Sequence, residues 1–353
     1  MLSEMTHRER ILAALNHQPT DRVPMDYWGV EEITTKLMKH FGVKDMFGLA
    51  DALDLDKIVG VNAPLIKPGR TDMWNIETKM VPLPDGSGFY SEPVSFPIGA
   101  DETIDEIEEH YEWPTVDMFD YSTIRSQCEQ YRAAGYAVEC GYISVTYFYS
   151  IIRGIEQMLL DFAADQRLAE YVLHKVNEFS SAHTRRMLEA ADGLADITQV
   201  TDDFGSQQGL LMSESMIEHY VGKYYESNIA MAKSFNVKVF HHDDGAVMDL
   251  VPWLVRKGCQ VLNPIQWHLP AWDLRKLKNE YGDVLCFHGG IDNQAVLPFQ
   301  TPEDVRAEVR ACVDALYSDR TGYILAPCHN IQAFTPIENI LTMYSYAKEY
   351  TLM

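Results

Sequence analysis

The stretch Lys238-Val-Phe-His-His-Asp-Asp-Gly245 runs a short apolar segment into four side chains able to bind a metal or move a proton. Val237, Val239 and Phe240 are the β-branched and aromatic residues of a strand covered on both faces, and Gly245 followed by Ala-Val-Met-Asp-Leu-Val opens a helix. Parallel α/β folds place their chemistry where such a strand hands its last residues to a βα loop. Acidic residues at strand ends also serve as helix caps, a use open to Asp244 before Gly245.

Seven further segments repeat the pattern on either side of this one. Strands are predicted over residues 22–29, 58–62, 136–141, 196–200, 260–266, 285–292 and 323–330, each followed by helical spacing of apolar residues. Thr6-His-Arg-Glu9 is a capping box for a short first helix, and Ser213 is an N-cap for a long helix towards Phe235. Eight strand-then-helix units without linkers predict an α/β fold of the (β/α)8 TIM barrel type, one domain over residues 1–353. A doubly wound sheet is the runner-up, weakened because no Gly-x-Gly-x-x-Gly loop follows a strand. Residues 72–98 break the rhythm: two extended runs flank Pro84-Asp-Gly-Ser-Gly88, so a β-hairpin insertion is predicted there.

The formal net charge of −23 repels nucleic acid and anionic lipid and leaves no basic stripe for phosphates. No apolar run reaches the length of a membrane span, and the charged start lacks a signal-peptide core. Six cysteines are scattered with no C-x-x-C pair, which suits a reducing compartment; a cytoplasmic location is expected.

In a barrel the polar residues near the strand ends converge on one mouth. They are Asp26 and Trp28, Glu139, Asp202 and Asp203, His242 and Asp244, Asn263 and Gln266, His288 and Asp292, and Cys328 and His329. Two schemes fit them. In one, His242, Asp244 and either Cys328 or His329 hold a divalent metal, zinc by preference, with an open position for substrate. His-x-Asp spacing suits this because residues two apart in a strand point the same way. In the other there is no metal, and Asp202 or Asp203 works with the histidines as acid and base on a carboxylated substrate. His241 alternates with His242 and should point into packing.

Several motifs along the whole chain resemble the uroporphyrinogen decarboxylase superfamily: Arg8-Glu-Arg-Ile-Leu-Ala-Ala-Leu-Asn16 with Asp21-Arg-Val-Pro24, Asp202-Asp-Phe-Gly-Ser-Gln207, Asn263-Pro264, Phe287-His-Gly-Gly-Ile-Asp292, Leu297-Pro-Phe and Ala326-Pro-Cys-His-Asn-Ile-Gln332. The match looks closest to the branch allied to corrinoid-dependent methyltransferases. That resemblance implies the barrel, a site at its C-terminal mouth, and a corrinoid carried by a partner protein. Thiol-methylating members bind zinc through a His-x-Cys-Gly motif and a later cysteine. Here His242 carries over, Asp244 replaces the first cysteine, and the later ligand falls at Cys328 or His329. An oxygen ligand in place of sulfur suits activation of a methoxy or hydroxyl oxygen better than of a thiol. The Arg-rich signature by which true decarboxylases grip uroporphyrinogen is replaced by Met25-Asp-Tyr-Trp-Gly-Val.

The resemblance therefore implies methyl transfer between a small, methoxylated donor and a corrinoid-binding protein, with Glu139, Asp202 and Asp203 orienting substrate or accepting a proton. Tyr27, Trp28 and Tyr147 would line an apolar pocket, Asp26, Asn263, Gln266 and His288 would bind substrate with them, and a homodimer is a further expectation. The alternatives are a metal-free decarboxylase or lyase acting on a carboxylated compound other than uroporphyrinogen, and a binding protein that has lost chemistry.

Overall fold

The computed structural model describes residues 4–82 and 89–352. Its strands are β1 (Ile58–Val61), β2 (Thr78–Pro82), β3 (Phe89–Pro93), β4 (Ala137–Ser144), β5 (Ile197–Thr201), β6 (Lys238–His242), β7 (Val261–Asn263), β8 (Cys286–Ile291) and β9 (Tyr323–Pro327). Seven of them form one parallel sheet in the order β1-β4-β5-β6-β7-β8-β9. Helices follow the strands, as parallel connections require.

The eighth place, between β9 and β1, is taken by the segment predicted as the first strand. The Leu325 amide donates to the Pro24 carbonyl at 2.8 Å, that of Asp26 to the Leu325 carbonyl at 2.9 Å, and that of Asp56 to the Met25 carbonyl at 2.8 Å. The sheet thus curls into the TIM barrel. This segment is reduced to isolated bridges, Met25 to Leu325 and Gly29 to Ile331. Proline at 24 has no N–H to give, and the buried Asp56 carboxylate takes the amide of Met25 at 2.8 Å.

The helix His7–Leu15 closes the floor. Its Ile11, Ala14 and Leu15 pack into a ring made of Ile58, Ala137, Ile197, Phe240, Val261, Cys286 and Ile324. Side chains two residues further along each strand face the same way, so the next layer up comprises Gly60, Glu139, Gln199, His242, Asn263, His288 and Ala326. An apolar floor therefore carries a polar layer directly beneath the mouth.

β2 and β3 pair antiparallel, with Thr78 opposite Pro93 and Pro82 opposite Phe89, as the hairpin insertion requires. The predicted turn at Pro84 to Gly88 lies outside the described residues. The insertion reaches the rim through Phe96, whose ring lies 3.0 Å from where a side chain on Gly154 would begin. Gly154 has a φ of 90° and separates the helices Thr146–Arg153 and Ile155–Ala164. Among the described residues no helix is long and apolar enough to cross a membrane, and the six cysteines are buried free thiols.

Candidate active site

His242 ends β6 and Asp244 lies two residues on, so both reach the mouth from one strand end. His329 arrives from the loop after β9. The Nε2 atoms of His242 and His329 lie 3.8 and 3.7 Å from Asp244 Oδ2, and the three candidate ligand atoms are all within 4.8 Å of one another. Asp244 Oδ1 is buried and has no hydrogen-bond partner. Burial pushes the Asp244 carboxyl up and the His329 imidazole down, as expected of groups drawn out of water without full compensation.

Cys328 does not join this group. Its thiol is buried and donates to the Ile265 carbonyl at 3.4 Å, and burial holds its pKa well above the ordinary thiol value. The chain bends directly after β9, and the bend turns Cys328 inward against Ile265 while His329 reaches the mouth. His241, as the alternation predicts, turns away to the Val200 carbonyl at 3.1 Å.

A chain of hydrogen bonds fixes how His242 presents itself. Asn263 Nδ2 donates to His288 Nδ1 at 2.8 Å and to the His288 carbonyl at 3.2 Å. Asn263 Oδ1 therefore faces His242 Nδ1, which donates to it at 2.5 Å. That leaves the Nε2 lone pair of His242 turned towards Asp244. His288 in turn donates from Nε2 to Asp26 Oδ2 at 3.1 Å. Asp26 is fully buried, yet Lys57 at 3.3 Å and the His288 hydrogen bond hold it well below the usual carboxylate range. Asn263, His288 and Asp26, predicted to touch substrate, form a support behind His242, and Asp26 also lines a cavity inside the barrel.

Trp28 lies across this support, its ring 5.6 Å from those of both His242 and His288 and 6.5 Å from that of His329. Tyr27 departs from expectation: it is buried in the core with its hydroxyl on Thr34 at 2.8 Å, because neighbours on an extended segment alternate faces. Tyr147 is 39% exposed and lines a cavity of about 340 Å³ with Phe96, Ile151, Ile155 and Asp203, where the hairpin meets the rim. Gln266 accepts the Gly245 amide and so ties together the loops after β6 and β7.

The three carboxyl groups predicted to do catalytic work have different surroundings. Asp202 is 1% exposed, and its Oδ1 accepts from the Ser144 hydroxyl at 2.6 Å and from the amides of Val145, Thr146 and Tyr147 at 2.9, 2.7 and 3.0 Å. It anchors the start of the helix Thr146–Arg153 after β4. Asp203 accepts the Asp244 amide at 3.3 Å and stays at the rim. Glu139 lies inside the barrel, where burial raises its pKa to about 7 despite a hydrogen bond from Gln199 at 2.9 Å.

Sequence reasoning missed Gln199 and Gly60. Both lie within a strand, in the polar layer one pleat before the loops of the mouth. A glutamine and a glycine inside otherwise apolar strands were the available signals. A cavity of about 1180 Å³ at the opposite end involves Arg10, Asp21, Arg22, Asp54, Arg320 and Lys348. Those arginines and that lysine are committed to carboxylates and carbonyls of the barrel floor.

The chain belongs to the uroporphyrinogen decarboxylase (URO-D) family, whose pattern it matches over residues 143–350. Among solved structures it is similar to a methyltransferase from Methanosarcina mazei, with 18% identity, 98% of this chain and 99% of that one covered, and a TM-score of 0.69. It is also similar to a B12-independent methionine synthase from a Shewanella species, with 11% identity, 93% and 97% covered, and a TM-score of 0.46. A comparison with curated protein sequences found no match.

Proposed function

We propose that this protein is a zinc-dependent methyltransferase that moves a methyl group between a small methyl ether and a separate corrinoid protein. The observation that carries the reading is the convergence of His242, Asp244 and His329 on one point at the mouth, beside an unpartnered buried carboxylate oxygen. Ligand atoms on a tetrahedral zinc ion sit roughly 3.3 Å apart. Asp244 is already within about half an ångström of that from each histidine. Two imidazoles and one carboxylate make a harder donor set than thiolates, which favours an oxygen substrate over sulfur. A metal held there supplies Lewis acidity towards an ether oxygen.

The chain's own residues do the rest. Asn263 fixes the His242 tautomer, Trp28 provides an apolar base beneath the three ligands, and Asp203 and Glu139 remain to orient substrate. The arginines at the floor of the barrel are too far from the mouth to grip a polycarboxylate, which weighs against a uroporphyrinogen-like substrate. The free thiols suit the reducing cytoplasm in which a reduced corrinoid partner would be met.

The test begins with elemental analysis of protein purified without a metal-affinity tag, before and after zinc is offered and excess removed. The loaded protein is then mixed with a reduced corrinoid carrier and 2-methoxyphenol, and the corrinoid absorption is followed. Near-stoichiometric zinc and zinc-dependent methylation of the corrinoid are expected. Failure to retain zinc would overturn the metal mechanism and favour acid–base decarboxylation. Retained zinc without methyl transfer across a range of methyl ethers would leave the metal site standing and remove the activity.

Asn263→Ala is expected to weaken zinc binding by about 10- to 100-fold, as loss of a ligand's outer hydrogen bond does. Competition with a chelator measures it; an unchanged affinity would mean that the Asn263 contact does not orient His242.

A further inference from the structure

A small cavity inside the barrel is not used by the metal ligands. It measures about 150 Å³ and is lined by Asp26, Trp28, Ile58, Gly60, Glu139, Gln199 and Phe240. Trp28 belongs to both places: it lines the cavity, and its ring lies 5.6 Å from that of His242 and 6.5 Å from that of His329. Gly60 opens it: the residue is in the barrel layer that faces inward, it is exposed, and a side chain added there would meet nothing within 4 Å. A glycine in a strand interior costs stability and packing, and it marks a place where something approaches the backbone closely.

We propose that this cavity binds the ring and hydroxyl of a small uncharged phenol, anchored by Glu139 and Gln199. The inference rests on the reading of the protein as a methyltransferase acting on a methyl ether, and it assigns the substrate class. A cavity of roughly 150 Å³ has room for a benzene-sized ring. Here Trp28, Ile58 and Phe240 give the ring its apolar faces, and Asp26, Glu139 and Gln199 make the remaining wall polar. Among the described residues the one hydrogen bond on the Glu139 carboxyl comes from Gln199 Nε2 to Oε1 at 2.9 Å, so Oε2 and the Gln199 carbonyl remain for a ligand. Both accept from a hydroxyl, and the raised pKa of Glu139 lets its carboxyl donate as well.

An anion fits badly. Lys57 is the nearest positive charge, and it is committed to Asp26 at 3.3 Å and to the Tyr27 carbonyl at 2.9 Å. A carboxylate placed beside Asp26 and Glu139 would lose its hydration without gaining a counter-ion. The cavity therefore selects a phenol over a benzoate of the same size.

The test is an NMR titration of the full chain with 2-methoxyphenol and with 2-methoxybenzoate, which needs no methyl transfer. The phenol is expected to bind at least about tenfold more tightly than the benzoate, and Glu139→Ala to weaken it about tenfold, the effect of one hydrogen bond to a buried group. Gly60→Val is expected to fill the cavity, weakening phenol binding more than about tenfold with the melting temperature unchanged or raised, since valine suits a strand better than glycine. His242→Ala is expected to leave binding within about threefold, because His242 does not line the cavity and no hydrogen bond to the phenol is lost with it. The proposal is overturned if neither compound binds, if the benzoate binds as tightly as the phenol, or if folded Gly60→Val binds as the parent does. Phenol binding lost in His242→Ala but kept in Gly60→Val would place the ring on the metal, overturning the cavity and leaving the methyltransferase reading intact. Binding that follows the cavity variants without methyl transfer in the corrinoid assay would do the reverse.

Discussion

His242→Ala is expected to abolish stoichiometric zinc binding and to lower methyl transfer by roughly a thousandfold or more. Lewis-acid stabilisation of charge on an oxygen is worth several kcal/mol, and each 1.36 kcal/mol is about a factor of ten in rate. His329→Ala should behave in the same way, because its Nε2 lies as close to Asp244 as that of His242 does. Cys328→Ala provides the contrast. The thiol faces the Ile265 carbonyl, so this change should leave zinc content intact and activity within about threefold, at the cost of one weak buried hydrogen bond. Elemental analysis of the three variants together decides between the two late residues that the sequence left open. Zinc lost in Cys328→Ala and retained in His329→Ala would overturn the assignment.

Asp202→Ala is expected to destabilise the protein by about 3 kcal/mol, with several buried donors losing their acceptor at once. The Ser144 hydroxyl and three successive amides converge on one carboxylate oxygen, and Tyr225 reaches the other at 3.3 Å. The decisive variant is Asp202→Asn, which keeps an acceptor where the four donors meet but removes the charge. It should fold, lose only about 1 kcal/mol, and retain most activity, since a single hydrogen bond is at stake. Denaturant titration and initial rates test the two halves separately. Normal stability with a collapse in rate for Asp202→Asn would restore Asp202 as an acid–base residue.

These variants bear on what can be read from a chain alone. The barrel was legible because each strand was announced by β-branched and aromatic runs followed by helical spacing, and these are local properties. The direction of His242 and Asp244 was legible for the same reason, since two residues on one strand share a face wherever the strand sits. Tyr27 falls in the core, apart from its neighbour Trp28, because side chains alternate along the segment between Met25 and Gly29. Asp202 looked catalytic because its partners, Ser144 to Tyr147, are more than fifty residues away and leave no trace beside it in the chain.

The sequence by itself determined the order of elements, the hairpin insertion, and the set of polar residues brought to one end of the barrel. Only the tertiary structure decided which of them meet. It set His329 rather than Cys328 beside Asp244, committed Asp202 to a helix start, and stacked Asn263, His288 and Asp26 behind His242. It also left the space over Gly60 between Glu139 and Phe240. Each of these depends on contacts between different strands, and a contact across the barrel is set by closure and packing, to which periodicity along one strand is blind.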